Sequence, residues 1–148
     1  MEWLSIVRIV DAELAQGIAD AYERWNASGD QSVKALFAPD FFDNVSGRRG
    51  LEIFDVVGRW LEESFAGRRV EHHATMHQGD RVMVWYTMHG RHIGNGFPRM
   101  TGSTVSGADV SWPQLHVFRV EDQRVVEHWA VRDDYVLLEQ IERAATSG

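Results

Sequence analysis

The stretch from Gln114 to Ile141, QLHVFRVEDQRVVEHWAVRDDYVLLEQI, carries the pattern that decides the fold. Two runs rich in apolar residues flank the polar break at Glu121–Arg124, which is typical of a β-hairpin with its turn at Asp122-Gln123. The segment after the second run, Tyr135 to Ala145, has the spacing of an amphipathic helix. We therefore expect a hairpin followed by a C-terminal helix.

The register of this hairpin predicts which side chains share a face. With the turn at Asp122-Gln123, opposed residues have numbers that sum to 245, so His116 lies opposite Trp129 and Trp112 opposite Asp133. Side chains alternate along each strand, and opposed residues share a face. That face is predicted to carry Trp112, Gln114, His116, Phe118, Glu127, Trp129, Val131 and Asp133. An apolar wall with an imidazole and a few carboxylates is typical of a ligand pocket.

Length and composition limit the classes of protein to which the chain can belong. Its 148 residues, 44% hydrophobic and 25% charged, predict one globular domain spanning residues 1–148. A formal charge of −7 argues against binding nucleic acid, which usually requires a basic face. The absence of Cys excludes disulfides, thiolate catalysis and thiolate metal sites.

No stretch of the sequence reaches the roughly 18–20 apolar residues that a membrane span needs. The N-terminal sequence MEWLSIVRIVDAEL has an early Glu and lacks the apolar core of a secretory signal. We therefore expect a cytoplasmic protein without membrane contact.

The segments before the hairpin predict helices first and strands after them. The expected elements are a helix from its N-cap Asp11 to about Asn26, a short helix Val33–Ala38, a brief extended piece Phe41-Phe42, a helix from Leu51 to about Ala66, strands Val70–Gln78 and Arg81–Ile93, and a loop Gly94–Gly107. Helices followed by an antiparallel meander indicate an α+β fold. A strongly curved sheet over amphipathic helices would enclose a cavity between the two layers.

Four segments resemble the SnoaL-like polyketide cyclases, a family with the nuclear-transport-factor-2-like fold. They are APDFFDN (38–44), GRRGLEIF (47–54), GDRVMVWYTMHGRHIG (79–94) and FRVEDQRVVEHWAVRDD (118–134). The last is the most specific, because a strand ending in Glu-His-Trp with an Asp four residues after the Trp is common in the family. The resemblance implies a cone-shaped, strongly curved antiparallel sheet packed on helices. It also implies intramolecular aldol chemistry without metal or cofactor, with Asp133 as acid/base and His116 as the assisting histidine.

Each of these two residues also has a structural interpretation. Asp133 could simply cap the last helix, although Asp134 is better placed for that role because it directly precedes Tyr135. His116 could be a buried histidine bonded to Glu127 or to a tyrosine. His128 is predicted to point away from the pocket, toward the surface or an interface.

The remaining candidates line the predicted pocket or its mouth. Trp112, Gln114, Phe118 and Trp129 would form the wall, and Asn44, Arg91 and His92 would add polar groups. No metal site is expected: His73 and His77 share a strand face but lie about 13 Å apart, too far to bind one ion.

These observations favour a small cofactor-independent enzyme acting on an apolar, polyketide-like carbonyl compound by acid/base chemistry. The alternatives are an isomerase or epoxide hydrolase using the same pocket, and a non-catalytic ligand-binding or assembly module. We also expect a homodimer, because Leu115, Val117, Val126 and Ala130 are predicted to form an apolar outer face.

Overall fold

The computed structural model of the protein describes residues 9–100, 102 and 104–147. Its helices are α1 (Ala12–Ser28), α2 (Glu52–Ser64) and α3 (Asp134–Thr146), with short 3₁₀ turns at Gln31–Leu36 and Pro98–Met100. Its strands are β1 (Phe37–Asp43), β2 (Arg48–Arg49), β3 (Phe65–Gln78), β4 (Arg81–His92), β5 (Asp109–Glu121) and β6 (Arg124–Arg132). The strands form one sheet in the order β2-β1-β6-β5-β4-β3.

The predicted α+β class is confirmed, with one difference in the sheet. Four of the five strand pairings are antiparallel, but β1 runs parallel to β6. The sheet is therefore mixed rather than wholly antiparallel. Parallel neighbours need a long connection, and here the whole of α2, β3, β4 and β5 lies between the two strands.

The first helix begins and ends where local chemistry dictates. Asp11 accepts a hydrogen bond from the backbone N–H of Leu14 at 2.7 Å, as predicted for an N-cap. Gly29 ends the helix with a φ of 76°, a left-handed conformation that glycine adopts without a steric penalty. The buried stripe includes Ile18, Tyr22 and Trp25, which pack against the inner face of the sheet.

The hairpin turn is confirmed, but the register beyond it differs from the prediction. Asp122 and Gln123 both have positive φ, 50° and 67°, as a two-residue hairpin turn requires. The first two pairs, Glu121 with Arg124 and Val120 with Val125, agree with the sum of 245, whereas the next residue, Arg119, pairs with Glu127. Val126 is an extra residue in β6, a β-bulge that moves every later pair by one position.

The bulge reverses the predicted orientation of β6. His116 lies opposite Ala130 and Phe118 opposite His128. The predictions that Glu127, Trp129, Val131 and Asp133 face inward, and that His128 and Ala130 face outward, are therefore wrong. Val131 is 73% exposed, whereas His128 is only 5% exposed. On β5, which has no bulge, Trp112, Gln114, His116 and Phe118 are buried on the inner face as predicted.

The segment after β4 approaches α2 closely through two glycines. A Cβ atom on Gly94 would collide with the carbonyl oxygen of Glu63, and one on Gly96 would lie 2.8 Å from the carbonyl oxygen of Trp60. The backbone of Gly96 also donates to the Ser64 hydroxyl at 2.8 Å. Any side chain at Gly94 would force this segment away from the end of α2.

We predict that Gly94→Ala destabilises the protein by about 1–3 kcal/mol, because the added methyl meets backbone that cannot move aside without strain. The matched control is Gly17→Ala, where a Cβ in the middle of α1 meets nothing within 4 Å. The control should gain roughly 0.5–1 kcal/mol from its higher helix propensity. Urea unfolding followed by tryptophan fluorescence measures both, and an unchanged stability of the Gly94 variant would contradict the close packing.

Candidate active site

A chain of hydrogen-bonded polar side chains crosses the interior of the cone. It runs from Asp43 to His128, His116, Tyr86 and Asn26, each contributed by a different element: β1, β6, β5, β4 and α1. All of these side chains are buried. Buried polar groups are costly unless they are hydrogen-bonded, so each member restricts the position of the next.

Asp43 forms the outer end of this chain, at the point where β1 gives way to a turn. Its Oδ1 accepts from the backbone N–H of Val45 at 3.2 Å, and its Oδ2 accepts from the Ser46 N–H at 3.2 Å and the Ser46 hydroxyl at 2.7 Å. Burial alone would raise the pKa of Asp43, but hydrogen bonds from His128 and Ser46 outweigh it and hold the pKa below its usual range. The side chain is therefore a carboxylate at neutral pH.

His128 connects this carboxylate to the centre of the protein. Its Nδ1 lies 2.8 Å from Asp43 Oδ1, and its Nε2 lies 2.9 Å from His116 Nδ1. The two imidazole rings are nearly parallel, with 5.1 Å between their centres. Burial lowers the pKa of His128, although the neighbouring Asp43 carboxylate opposes that shift.

His116 occupies the inner end, beside an amide and a phenol. Its Nε2 lies 2.9 Å from Gln114 Oε1 and 3.0 Å from the Tyr86 hydroxyl. Complete burial lowers the pKa of His116 well below the usual value, and the charge of Arg132, together with that of His128 whenever it is protonated, acts in the same direction. Burial also raises the pKa of Tyr86, which keeps its phenol protonated. At neutral pH the inner end thus holds a neutral imidazole and a protonated phenol that donates to Gln114 Oε1 at 3.0 Å.

Two amide atoms at the inner end are not satisfied by the protein. Gln114 Nε2 and Asn26 Oδ1 are buried and have no hydrogen-bond partner among the described residues. An unmatched buried polar atom costs about 1–3 kcal/mol, and such atoms need an explanation in a native structure. One atom is a donor and the other an acceptor, so a molecule bound beside Tyr86 could satisfy both.

The sequence-predicted base, Asp133, lies outside this cluster. Its side chain is exposed and accepts a hydrogen bond from the backbone N–H of Val136 at 3.0 Å, so it is the N-cap of α3. Asp134, which the sequence favoured as the cap, instead accepts from Trp112 Nε1 at 3.1 Å. After the bulge at Val126, the backbone N–H of Asp133 donates to the carbonyl of Pro113 at 2.9 Å, which places Asp133 on the face opposite to that of His116.

The other predicted wall and mouth residues occupy several environments. Trp112 and Phe118 are buried, and the Phe118 ring lies 5.1 Å from that of Tyr22. Trp129 lies on the outer face, where the guanidinium carbon of Arg81 is 5.5 Å from the centre of the Trp129 ring. Asn44 is exposed and donates to Glu127 Oε2 at 3.0 Å, which leaves it at the rim and not in the interior.

His92 and Arg91 also lie away from His116. His92 is fully buried, and its ring nitrogens lie 2.9 Å from Ser106 Oγ and 2.9 Å from Asn95 Oδ1, so it fixes the loop that follows β4. Arg91 is exposed and borders a shallow cleft of about 530 Å³ on the outer side of the sheet. This cleft is lined by Ala66, Gly67, Arg69, His89, Gly90, Arg91, Asp109, Val110 and Ser111.

The sequence interpretation missed His128, Tyr86 and Asn26 as site residues and left Asp43 open. One signal could have found His128. A uniform register buries the Glu127 carboxylate against Phe118, which is unfavourable. A single bulge instead places Glu127 beside Arg119, where the two form an ion pair at 3.0 Å, and turns His128 inward.

Residues 9–100, 102 and 104–147 contain neither a candidate metal site nor a candidate membrane span. No group of three His, Asp or Glu side chains there is arranged to hold a metal ion. No helix in that part of the chain is both long and apolar enough to cross a bilayer.

Several solved structures share this fold. TsrD from Streptomyces laurentii superposes with a TM-score of 0.77 at 21% identity, over 89% of this chain and 97% of that one. IdmH from Streptomyces antibioticus, named as a candidate polyketide cyclase, gives 0.69 at 21% identity, over 86% and 98%. AclR from Streptomyces galilaeus, named as a candidate hydroxylase, gives 0.66 at 25% identity, over 88% and 94%.

No functionally curated protein matches the chain by sequence. The family model for the SnoaL-like polyketide cyclases, however, matches residues 12–141, which include every helix and strand of the fold except the last residues of α3. That match covers far more than half of the chain and agrees with the structural similarities. The protein belongs to the SnoaL-like polyketide cyclase family.

Proposed function

We propose that the protein is a small, cofactor-independent enzyme that acts on an apolar, polyketide-like carbonyl compound by acid/base chemistry, with His116 moving the proton. The observation that carries this proposal is the neutral, fully buried imidazole whose Nε2 faces Tyr86 and Gln114. A fold shared with other SnoaL-like proteins supports it.

Enolisation next to a carbonyl needs a base near the acidic C–H and a donor for the oxygen that becomes negative. His116 Nε2 supplies the base. The unmatched N–H groups of Gln114 supply the donor, and the Tyr86 hydroxyl holds that amide in place by donating to its Oε1 at 3.0 Å. Burial from water strengthens each of these interactions in the transition state.

The surroundings of this polar cluster favour an apolar substrate. The rings of Tyr22 and Phe118 lie 4.8 Å and 6.2 Å from that of His116, and Trp112 is buried on the same face of β5. A largely apolar wall with a few convergent polar groups is the usual composition of a small-molecule site. The unmatched amide atoms of Asn26 and Gln114 would then fix the orientation of the carbonyl compound.

For Asp133 we propose a capping role in place of the acid/base role that the family resemblance implied. Its carboxylate is exposed and bonded to the first turn of α3. An exposed carboxylate that caps a helix lies outside the buried cluster in which the proposed proton transfer takes place. His116 lies inside that cluster.

We predict that His116→Gln lowers kcat by about 10²–10⁴-fold on a cyclisable β-polycarbonyl substrate, the usual contribution of a general acid or base. Asp133→Asn should leave turnover close to that of the parent, because Asn caps a helix nearly as well as Asp. Steady-state kinetics on both variants distinguishes the two residues. Loss of activity in the Asp133 variant with retention in the His116 variant would reverse the assignment, and binding of the substrate by the parent without turnover would favour a non-catalytic binding module.

We also propose that the protein is a homodimer that uses the outer face of the sheet. Met76, Trp85 and Val131 on this face are 51%, 48% and 73% exposed. Leu115 and Val117 alternate with the buried residues of β5 and extend the same apolar surface. Exposed apolar patches of this kind usually mark interfaces, and a second copy of the same face would cover it.

We predict that Val131→Glu converts a dimer at micromolar concentration into a monomer, because it places a charge within the covered face. Val105→Glu is the matched control, since Val105 is 50% exposed on the loop before β5 and not on the sheet. Analytical ultracentrifugation measures the mass of the parent and both variants. A monomeric parent, or a dimer that tolerates Val131→Glu, would count against this interface.

A further inference from the structure

We propose that Asp43 and His128 form a proton relay with His116, through which a proton taken up at His116 Nε2 is passed toward Asp43. Asp43 and His128 are then positioning residues that act through His116 without touching the substrate. This inference rests on the proposed function of His116 and names the two residues that make its chemistry possible.

The geometry of the chain allows a proton to pass along it. Only two short contacts, 2.9 Å between the imidazoles and 2.8 Å between His128 and Asp43, separate His116 from the carboxylate. A neutral imidazole has one donor and one acceptor nitrogen. Because the two contacts use the two ring nitrogens of His128, the tautomer of His128 determines the tautomer of His116.

Before reaction, the Asp43 carboxylate determines which ring nitrogen of His128 and of His116 carries the hydrogen. Asp43 accepts from His128 Nδ1–H, which leaves His128 Nε2 as an acceptor for His116 Nδ1–H. His116 Nε2 then carries the lone pair that a general base requires, 3.0 Å from the Tyr86 hydroxyl and 2.9 Å from Gln114 Oε1. The backbone and hydroxyl donors of Val45 and Ser46 keep the carboxylate in this accepting state.

Uptake of a proton moves one hydrogen at each step. The substrate C–H bond breaks, its electron pair stays on the substrate as an enolate, and an N–H bond forms at His116 Nε2. The Nδ1 hydrogen of His116 passes to His128 Nε2, and His128 becomes an imidazolium whose Nδ1–H still donates to the Asp43 carboxylate. Returning the proton to the oxyanion of the cyclised product reverses each step, so no other reactant is needed.

The relay removes a charge that the interior would not tolerate. A lone imidazolium at His116, which is fully buried, would lie among Tyr22, Tyr86 and the positively charged Arg132. Charge in such surroundings is costly unless it is paired. Passing the proton to the outer end brings the positive charge against the Asp43 carboxylate, where it is neutralised.

Gln114 is placed to accommodate the transferred proton. Its Oε1, 2.9 Å from His116 Nε2, accepts from the N–H that forms there. The side chain can therefore stabilise His116 after the proton has been taken up.

The kinetic test uses His128→Gln, whose amide can still accept from His116 and donate to Asp43 but cannot pass a proton. We expect kcat to fall by roughly 10²-fold with KM little changed, a loss within the range of general acid/base effects. His73→Gln is the matched control, because His73 is exposed on the outer face of β3 and contacts Thr87. The Asp43→Asn, His128→Gln double variant should have a kcat close to that of either single variant, since both changes interrupt the same relay.

Nitrogen-15 NMR of the parent tests the hydrogen positions without any substrate or variant. At neutral pH we expect both His116 and His128 as neutral rings with the hydrogen on Nδ1. Opposite tautomers in the two rings, or full activity in a folded His128→Gln variant, would overturn the relay and leave the role of His116 intact. Failure of the parent to turn over the substrate would instead contradict the proposed function, and the NMR result would still decide whether the chain of hydrogens exists.

Discussion

The structure depends on one constraint: a carboxylate and two imidazoles buried inside an apolar cone must satisfy one another. Asp43, His128 and His116 do so through hydrogen bonds of 2.8 Å and 2.9 Å. The parallel pairing of β1 with β6 places Asp43 directly beside His128 in the ladder. The bulge at Val126 turns His128 toward the interior, opposite Phe118. If either the parallel pairing or the bulge were absent, a charged or polar side chain would be buried without its hydrogen-bond partner.

Much of the architecture could be predicted from local patterns. Asp11 and Gly29 bound α1 through capping chemistry, and Asp122-Gln123 marks the hairpin turn through its need for positive φ. The strict alternation along β5 correctly predicted the burial of Trp112, Gln114, His116 and Phe118. These features depend on neighbours in the sequence, so their signal is present in the sequence itself.

The active-site chain was harder to predict because it depends on contacts between distant segments. A single extra residue, Val126, reverses the face of every later position in β6, and nothing about a valine marks it as a bulge. Asp43 is 85 residues from His128, and their parallel strands are joined through most of the chain. The family resemblance gave the correct fold but directed attention to Asp133, which caps α3.

The dependence of stability on pH tests the central claim, that both imidazoles are buried in the neutral form. Burial lowers the pKa of His116 and His128 in the folded protein, so near pH 6.5 the unfolded chain binds more protons. Stability should therefore be greatest above that pH and fall as the pH drops, by about 1.4 kcal/mol per pH unit for each imidazole that stays neutral. Urea unfolding between pH 5.5 and 8 should show this slope in the parent and a weaker one in the His116→Gln, His128→Gln double variant. Equal slopes, or a parent that gains stability as the pH falls, would contradict the account.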